Sequence, residues 1–469
     1  MTKILFLQDV LFDYMGPMQL SAILKNNGHE TDLLVWEEEK DFMNKVKEIN
    51  PDLIAFSTMS GGHKAAIEKA REIKKELKVI TVFGGAHPTF FPEMINEEGV
   101  DIICRGEADY TLLELAEYIN QGKDFTKLNG FWVKKDNKVY KNPVGKLVEN
   151  LDELPFLDRE LYYKRYKLLR DLPVRRFMTG RGCVYNCSFC YVHKMREMYK
   201  GKVYARKRSV SHVVEEIKAV QKKYSLKNVR ISDDTFTTYP KWLKEFTTAI
   251  KKEIGVPFSC LARANELNEE IIKALKEGGC SCLFFGVESG NEQLRNMILN
   301  KNLKDDKIIN AARLLKKYKL KFGTYNMFGM PTETLKDAIQ TIKLNIKLKP
   351  DYPFSTIFQP YPGTNISKFA QEQGVLPKDF SIDDLHLMHS GENPLIIENK
   401  KEITNLQSLA WLVIKFPRLQ PLVKHMIKLP PNKVFKLIEK FGAGWSRMFF
   451  FGTGFKDTLS LAWKLRNKL

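Results

Sequence analysis

Three cysteines fall within eight residues, Cys183-Val-Tyr-Asn-Cys187-Ser-Phe-Cys190. They lie in a glycine-bearing loop (Gly180, Gly182) just after a short run that reads as a strand. Three thiolates on one loop suit three irons of a cubane cluster, which leaves the fourth iron open to a small molecule. Two plainer readings share the pattern. One is a structural zinc site with His193 as fourth ligand, and the other is a set of buried, inert cysteines. Further polar residues follow at the ends of later strand candidates: Asp233-Asp234, Arg263, Glu288-Ser289-Gly290 and Asn326. Singly, the aspartates also suit a helix N-cap and the Glu288 segment a turn.

The apolar periodicity supplies the elements that must hold these residues. Ile4–Leu7, Thr31–Val35, Leu53–Phe56, Val79–Phe83 and Ile102–Cys104 read as strands. Helical patterns alternate with them at Gln19–Asn26, Asp41–Ile49, Lys64–Leu77, Pro92–Glu97 and Thr111–Ile119. Such alternation predicts a parallel, doubly wound, Rossmann-like sheet, because parallel strands need helical crossovers. Ligands of such sheets sit beyond the carboxyl ends of the strands. Those ends are Gln8-Asp9, Ser57-Thr58-Met59, Gly84-Gly85-Ala86-His87 and Arg105-Gly106-Glu107.

Phe131–Val133 and Lys138–Tyr140 around Asp136-Asn137 predict a small hairpin, and Leu151–Tyr162 reads as a linker. A second α/β region has strand candidates at Arg176–Thr179, Asn228–Ser232, Phe258–Leu261, Cys282–Gly286, Lys321–Phe328 and Ser355–Gln359. Cys280 and Cys282, two apart on one strand, are expected on the same face. The expected division is 1–128, a hairpin and linker at 129–171, a core at 172–366, and a mainly helical region at 367–469.

The cysteine loop, with Phe189 before its third cysteine, resembles that of the radical S-adenosylmethionine (SAM) enzymes. The likeness continues in order through Ile231-Ser-Asp-Asp-Thr-Phe236, Arg263, Gly286-Val-Glu-Ser-Gly290, Asn326-Met-Phe-Gly-Met-Pro-Thr-Glu333 and Gln359-Pro-Tyr-Pro-Gly-Thr364. It implies a partial or full α/β barrel with a 4Fe-4S cluster on Cys183, Cys187 and Cys190. It also implies SAM held with the help of Phe189, Asp233, Asp234, Arg263, Glu288, Ser289 and Asn326. In that family a reduced cluster cleaves SAM, and the resulting radical takes hydrogen from unactivated carbon.

The N-terminal region resembles the cobalamin-binding domain of the cobalamin-dependent subclass. Gln8, Asp9, Ser57, Thr58, Gly84, Gly85, Ala86, His87, Gly106 and Glu107 would then contact cobalamin. The motif Asp-x-His-x-x-Gly, which supplies a lower cobalt ligand in some cobalamin domains, has no histidine here: the segment is Gln8-Asp9-Val-Leu-Phe-Asp13-Tyr-Met-Gly16. His87 reads as a loop residue rather than a cobalt ligand. Other readings are a doubly wound domain that has lost the cofactor or binds something else.

The resemblance implies methyl transfer to unactivated carbon, with cyclisation, oxidation or ring rearrangement as the alternative within enzymes. A non-catalytic zinc-holding module is the alternative outside them. A small-molecule substrate and an electron donor such as flavodoxin or ferredoxin are implied.

Seven cysteines among 469 residues suit a reduced compartment rather than a disulfide framework. Asp9 and Asp13 interrupt the first apolar run, so it is no signal peptide, and a cytoplasmic location is expected. Lys and Arg number 75 against 56 Asp and Glu, a net charge of +19. From Lys401 onward there are 13 basic and 3 acidic residues, interleaved with apolar and aromatic ones. That tail reads as a helical cap, either alone or with peripheral contact to an anionic membrane, in which case the substrate would be hydrophobic or lipid-like. Nucleic acid is the weaker reading, because no recognised binding motif accompanies the charge.

Overall fold

The computed structural model describes residues 1–385 and 393–450 and divides into two compact units. The first holds Met1–Asp171, Met195–Arg206 and the described part of 381–387. Its strands are β1 (Lys3–Gln8), β2 (Glu30–Val35), β3 (Leu53–Ser57), β4 (Ile80–Gly84) and β5 (Ile102–Cys104), parallel in the order β2-β1-β3-β4-β5. The expected hairpin, β6 (Phe131–Lys135) and β7 (Lys138–Lys141), extends this sheet by pairing antiparallel to β5. Its turn residues Asp136 and Asn137 both take positive φ, 50° and 58°, as a tight hairpin requires. Leu5, Leu7, Ile54, Phe56 and Phe83 pack with Ala66, Ile67, Ala70 and Ile73 of the helix His63–Glu76. Near-continuous apolar strands suit a sheet covered on both faces.

Two expectations are corrected here. The Leu151–Tyr162 stretch is not slack: Leu161, Tyr162 and the next residue, Tyr163, are fully buried, and Gln19 Nε2 donates to Pro155 O (2.8 Å). Its prolines and carboxylates conceal that burial in the sequence. His87 lies not in a loop but in the short helix Ala86–Phe90.

The second unit carries six parallel strands: β8 (Val174–Phe177), β9 (Asn228–Ile231), β10 (Phe258–Ala262), β11 (Cys280–Glu288), β12 (Lys321–Phe328) and β13 (Tyr352–Ile357). They pair in chain order, and the first and last do not meet, so the barrel is partial. Helices Val210–Lys223, Pro240–Glu253, Glu269–Glu277, Asp305–Lys317 and Leu335–Leu348 alternate with them. Val213, Ile217, Phe246, Ile272 and Leu315 fill the space between these helices and Val229, Phe258, Leu283 and Phe285.

Cys280 and Cys282 do not share a surrounding. Phe258 pairs with Cys280 and Ser259 with Cys282, so the ladder skips Ser281. Such a bulge inverts the alternation. Cys280 joins the cluster beneath the helices, whereas Cys282 packs with Phe284 and Tyr352.

After residue 393 the unit is helical, with Lys400–Lys415, Gln420–Met426 and Lys433–Phe450. Ile403, Leu406, Ala410 and Val413 pack on Phe328, Ile342 and Ile357. The tail motif Met448–Phe455 runs past the described residues at 450, and the run Leu459–Leu469 lies wholly outside them. Among the described residues no helix is long and apolar enough to cross a membrane.

Candidate cluster, SAM and cobalamin sites

The cysteine loop leaves the carboxyl end of β8, and each stretch between its cysteines is anchored. Tyr185 OH donates to Glu266 (2.7 Å), and Asn186 O accepts from Asn300 Nδ2 (2.9 Å). Ser188 donates to the carbonyls of Leu299 (3.0 Å) and Ile298 (2.6 Å), and its own carbonyl accepts from Ile366 N (3.1 Å). Tyr191 OH donates to Pro362 O (2.6 Å). The residue types within the motif therefore fix the path along which the three half-buried thiols are displayed.

Burial pushes the Cys183 thiol up, and the Cys190 thiol up to about 12. Thiols so placed ionise when a cation supplies the compensating charge. Among the described residues no three His, Cys, Asp or Glu side chains converge on a single ion-sized point. A cubane takes one thiolate per iron, and three thiols on one anchored loop fit that donor set.

At the end of β9, Asp233 is buried and saturated. It accepts from Thr179 N (2.7 Å), Thr179 Oγ1 (2.5 Å), Gly180 N (3.2 Å) and Lys207 Nζ (2.6 Å). Its work is to pin the start of the cysteine loop. Asp234 makes no such bonds and its side chain is exposed. It is nevertheless ringed by enough protein that burial, and then the Asp233 charge, pushes its carboxyl up. It is the free carboxylate of the pair.

Arg263, after β10, lies over the Tyr185 ring and directs Nη1 at Cys187 Sγ (3.4 Å). Glu266 holds that ring, because its carboxylate also accepts from Thr235 (3.0 Å), Thr237 (2.5 Å) and Thr238 (3.1 Å). At the end of β11, Glu288 has φ +63° and folds back to Lys301 Nζ (2.9 Å). A Cβ on Gly286 would meet that carboxylate and the Lys301 ammonium, so a side chain there would displace the pair. Lys301 Nζ also stands 5.9 Å from the Phe189 ring centroid. Ser289 is fully buried, its hydroxyl accepting from Asn291 N (3.2 Å). Asn326 is committed elsewhere: its amide donates to Phe354 O (3.1 Å) and accepts from Asn345 (2.7 Å).

The structure thus gathers Cys187, Arg263 and Tyr185, and separately ties Glu288 to Lys301. Lys207, Glu266 and Lys301 were not legible as site residues, since a lone Lys or Glu outside a motif carries no signal. Glu333 is a further case within a quoted motif. It is buried and accepts from the N–H groups of Gly329 and Met330, and burial pushes it up to about 8.

In the first unit the strand order reverses at β1, between β2 and β3, which is where doubly wound sheets open a crevice. Val10 and Met59 are exposed there, just past the ends of β1 and β3. Thr58 Oγ1 is buried without a hydrogen-bond partner, as an atom reserved for a ligand would be. Gly85, at φ +105°, lies so near Thr58 O that a Cβ would meet it at 2.7 Å. Ser57, Gly85 and Ala86 are exposed on the same edge, with Asp9 half-buried. These residues fit a large, partly apolar cofactor such as cobalamin.

Gln8, Gly106 and Glu107 are engaged in packing. Gln8 accepts from Tyr162 OH (2.6 Å) and donates to the carbonyls of Val10 (2.6 Å) and Phe12 (2.8 Å), which shapes the loop after β1. Glu107 forms a buried ion pair with Arg206 Nη2 (2.5 Å), and Gly106 leaves room for the Tyr199 hydroxyl. His87 stacks on His63 with centroids 3.9 Å apart, and burial together with that neighbour lowers it to about 3. His63 Nε2 donates to Asp383 (2.8 Å).

Residues 177–344 match the radical SAM superfamily and residues 13–116 the B12 binding domain. An uncharacterized methyltransferase of Pyrococcus horikoshii is 32% identical over 341 residues, 72% of this chain and 73% of that protein. An anaerobic magnesium-protoporphyrin IX monomethyl ester cyclase of Rubrivivax gelatinosus is 25% identical over 367 residues, 74% and 64% of the two chains. The fold is similar to that of TsrM, a radical SAM methyltransferase of Kitasatospora setae, with a TM-score of 0.71 at 15% identity, covering 100% and 99% of the two chains. A cysteine loop on a partial α/β barrel, with a B12 binding domain ahead of it, defines an enzyme class. The chain belongs to the cobalamin-dependent radical SAM family. The cofactors of that family are a 4Fe-4S cluster, SAM and cobalamin.

Proposed function

We propose that this enzyme methylates an unactivated carbon of a hydrophobic or lipid-like small molecule. One observation supports the radical machinery above others: an anchored loop of three half-buried thiols with the Arg263 guanidinium aimed at one of them. When bound, the cluster and SAM supply an oxidant for a C–H bond, and cobalamin supplies the methyl group.

The chain's own residues hold and orient. Cys183, Cys187 and Cys190 take the cluster. Asp234, the unengaged carboxylate, receives the SAM amino group, while Asp233 and Lys207 keep the loop in place. Arg263, beside Cys187 Sγ, would hold the SAM carboxylate. Phe189, Glu288 and Ser289 line or brace the same pocket, and Asn326 braces β12 rather than touching SAM. Gln8, Asp9, Ser57, Thr58, Gly84, Gly85, Ala86 and His87 shape the cobalamin crevice, with Gly106 and Glu107 behind it. No imidazole is assigned to cobalt. A small electron-transfer protein of the flavodoxin or ferredoxin kind reduces the cluster.

The test is an anaerobic turnover of the loaded enzyme with hydrophobic candidate substrates. Methyl transfer forms S-adenosylhomocysteine and 5′-deoxyadenosine together. Deoxyadenosine alone would favour the cyclase or oxidase reading, which similarity to the Rubrivivax cyclase keeps in view.

A further inference from the structure

We infer that the surface running from Phe416 to Phe441 docks on an anionic lipid bilayer. The helix Lys433–Phe450 carries three stripes, because successive residues turn by about 100°. Phe435 is buried in the cluster with Leu406 and Val413, a Cβ on Gly442 would meet Trp411, and Ser446 Oγ donates to Pro353 O (3.2 Å). That stripe faces the protein. Val434, Leu437 and Phe441, at i, i+3 and i+7, form a second stripe that faces solvent. Lys433, Lys436 and Lys440 form a third beside it, also exposed.

The preceding turn and helix repeat the alternation. Phe416, Leu422 and Leu429 stand exposed among exposed Arg418, Lys424 and Lys428. All six apolar side chains are 50–67% exposed. A shallow, open cleft of about 480 Å³ lies on the segment between Phe416 and Ile427, lined by Pro417, Arg418, Gln420, Pro421, Lys424 and His425. It holds cationic groups and no carboxylate, which suits the phosphate of a lipid headgroup. Glu439, the sole acidic residue between Ile403 and Phe450, turns inward to Gln407 (3.2 Å) and Ser408 (3.2 Å).

Single exposed apolar residues are ordinary. Six of them interleaved with six Lys or Arg are the signature of an interfacial surface, with the apolar tips in the acyl boundary and the ammonium groups at the phosphates. A second copy of this face would bring like charges together. Nucleic acid would satisfy the charge but leave the aliphatic tips in water. The inference does not rest on the methyl transfer assigned above, whereas the lipid-like substrate named there rests on it.

The full-length, cofactor-loaded enzyme is tested by flotation with phosphatidylcholine vesicles, with and without phosphatidylglycerol. Binding is expected on the anionic vesicles, at least about tenfold weaker on neutral ones, and lost in high salt. L422S/L437S/F441S and, separately, K433E/K436E/K440E should each weaken binding at least about tenfold while iron content and melting temperature hold. No flotation of the wild type, flotation insensitive to both variants, or tighter binding to an RNA oligonucleotide than to vesicles would overturn the inference. So would a dimer that both variants dissolve.

Discussion

Arg263 rests its guanidinium 3.8 Å from the centre of the Tyr185 ring and reaches Cys187 Sγ at 3.4 Å. The stack fixes a cation against one sulfur of the proposed cluster, and Glu266 in turn fixes the ring through Tyr185 OH. Positive charge and hydrogen bonding at a cluster sulfur favour the reduced, more negative state.

Arg263→Ala should therefore lower the cluster midpoint potential. A charge-assisted bond worth about 1.4 kcal/mol corresponds to about 59 mV for one electron. Arg263→Lys should not restore it fully, since an ammonium does not stack as a guanidinium does. An EPR-monitored redox titration reads the shift; an unchanged potential would remove Arg263 from the site.

The paired aspartates should separate by function. Asp233→Asn leaves the Lys207 ammonium without its buried counter-ion and should cost about 3 kcal/mol of stability by denaturant titration. Asp234→Asn should alter stability by about 0.5 kcal/mol or less. It should weaken SAM binding by at least about tenfold, measured by equilibrium dialysis. The opposite pattern would return the SAM contact to Asp233.

The Glu107–Arg206 pair is buried on both sides, and Arg206 Nη1 also donates to Val148 O. Glu107→Ala should destabilise by about 3 kcal/mol, because an uncompensated guanidinium is left inside. Cluster content should not change. Loss of cobalamin without loss of stability would instead make Glu107 a direct cofactor contact.

Glu333 should make stability depend on pH. Its carboxyl is raised from 4.5 to about 8 by burial, so between those values the folded chain keeps a proton that the unfolded chain releases. Its stabilising share is whole below about pH 4.5 and is lost as pH rises toward 8, by up to about 1.4 kcal/mol per unit. Urea denaturation at pH 5 and pH 8 should show a smaller decline for Glu333→Gln than for the wild type. Equal declines would mean that Glu333 is already ionised at pH 5.

Much of the fold was legible because parallel strands are buried on both faces and read as apolar runs; Ile102–Cys104 stands in the structure with the bounds expected of it. Edges were less so. β8 begins at Val174 and β13 at Tyr352, ahead of the expected starts, where charged or proline residues break the apolar run. The Ser281 bulge leaves no mark in the sequence, so the sidedness of Cys280 and Cys282 was misread. For the candidate site, the cysteine spacing and the order of strand-end motifs carried the reading. What spacing does not carry is occupancy: Asp233 and Asp234 look alike in the sequence, and the bonds from Thr179, Gly180 and Lys207 tell them apart.

The central claim is tested most directly by cofactor content. The protein is purified anaerobically with iron and cobalamin supplied, beside a variant with Cys183, Cys187 and Cys190 replaced by Ala, and both are measured by metal analysis and absorbance. The wild type should carry about four irons and about one cobalamin per chain, and the variant cobalamin alone. Zinc in place of iron after anaerobic reconstitution, or iron retained by the variant, would contradict the account.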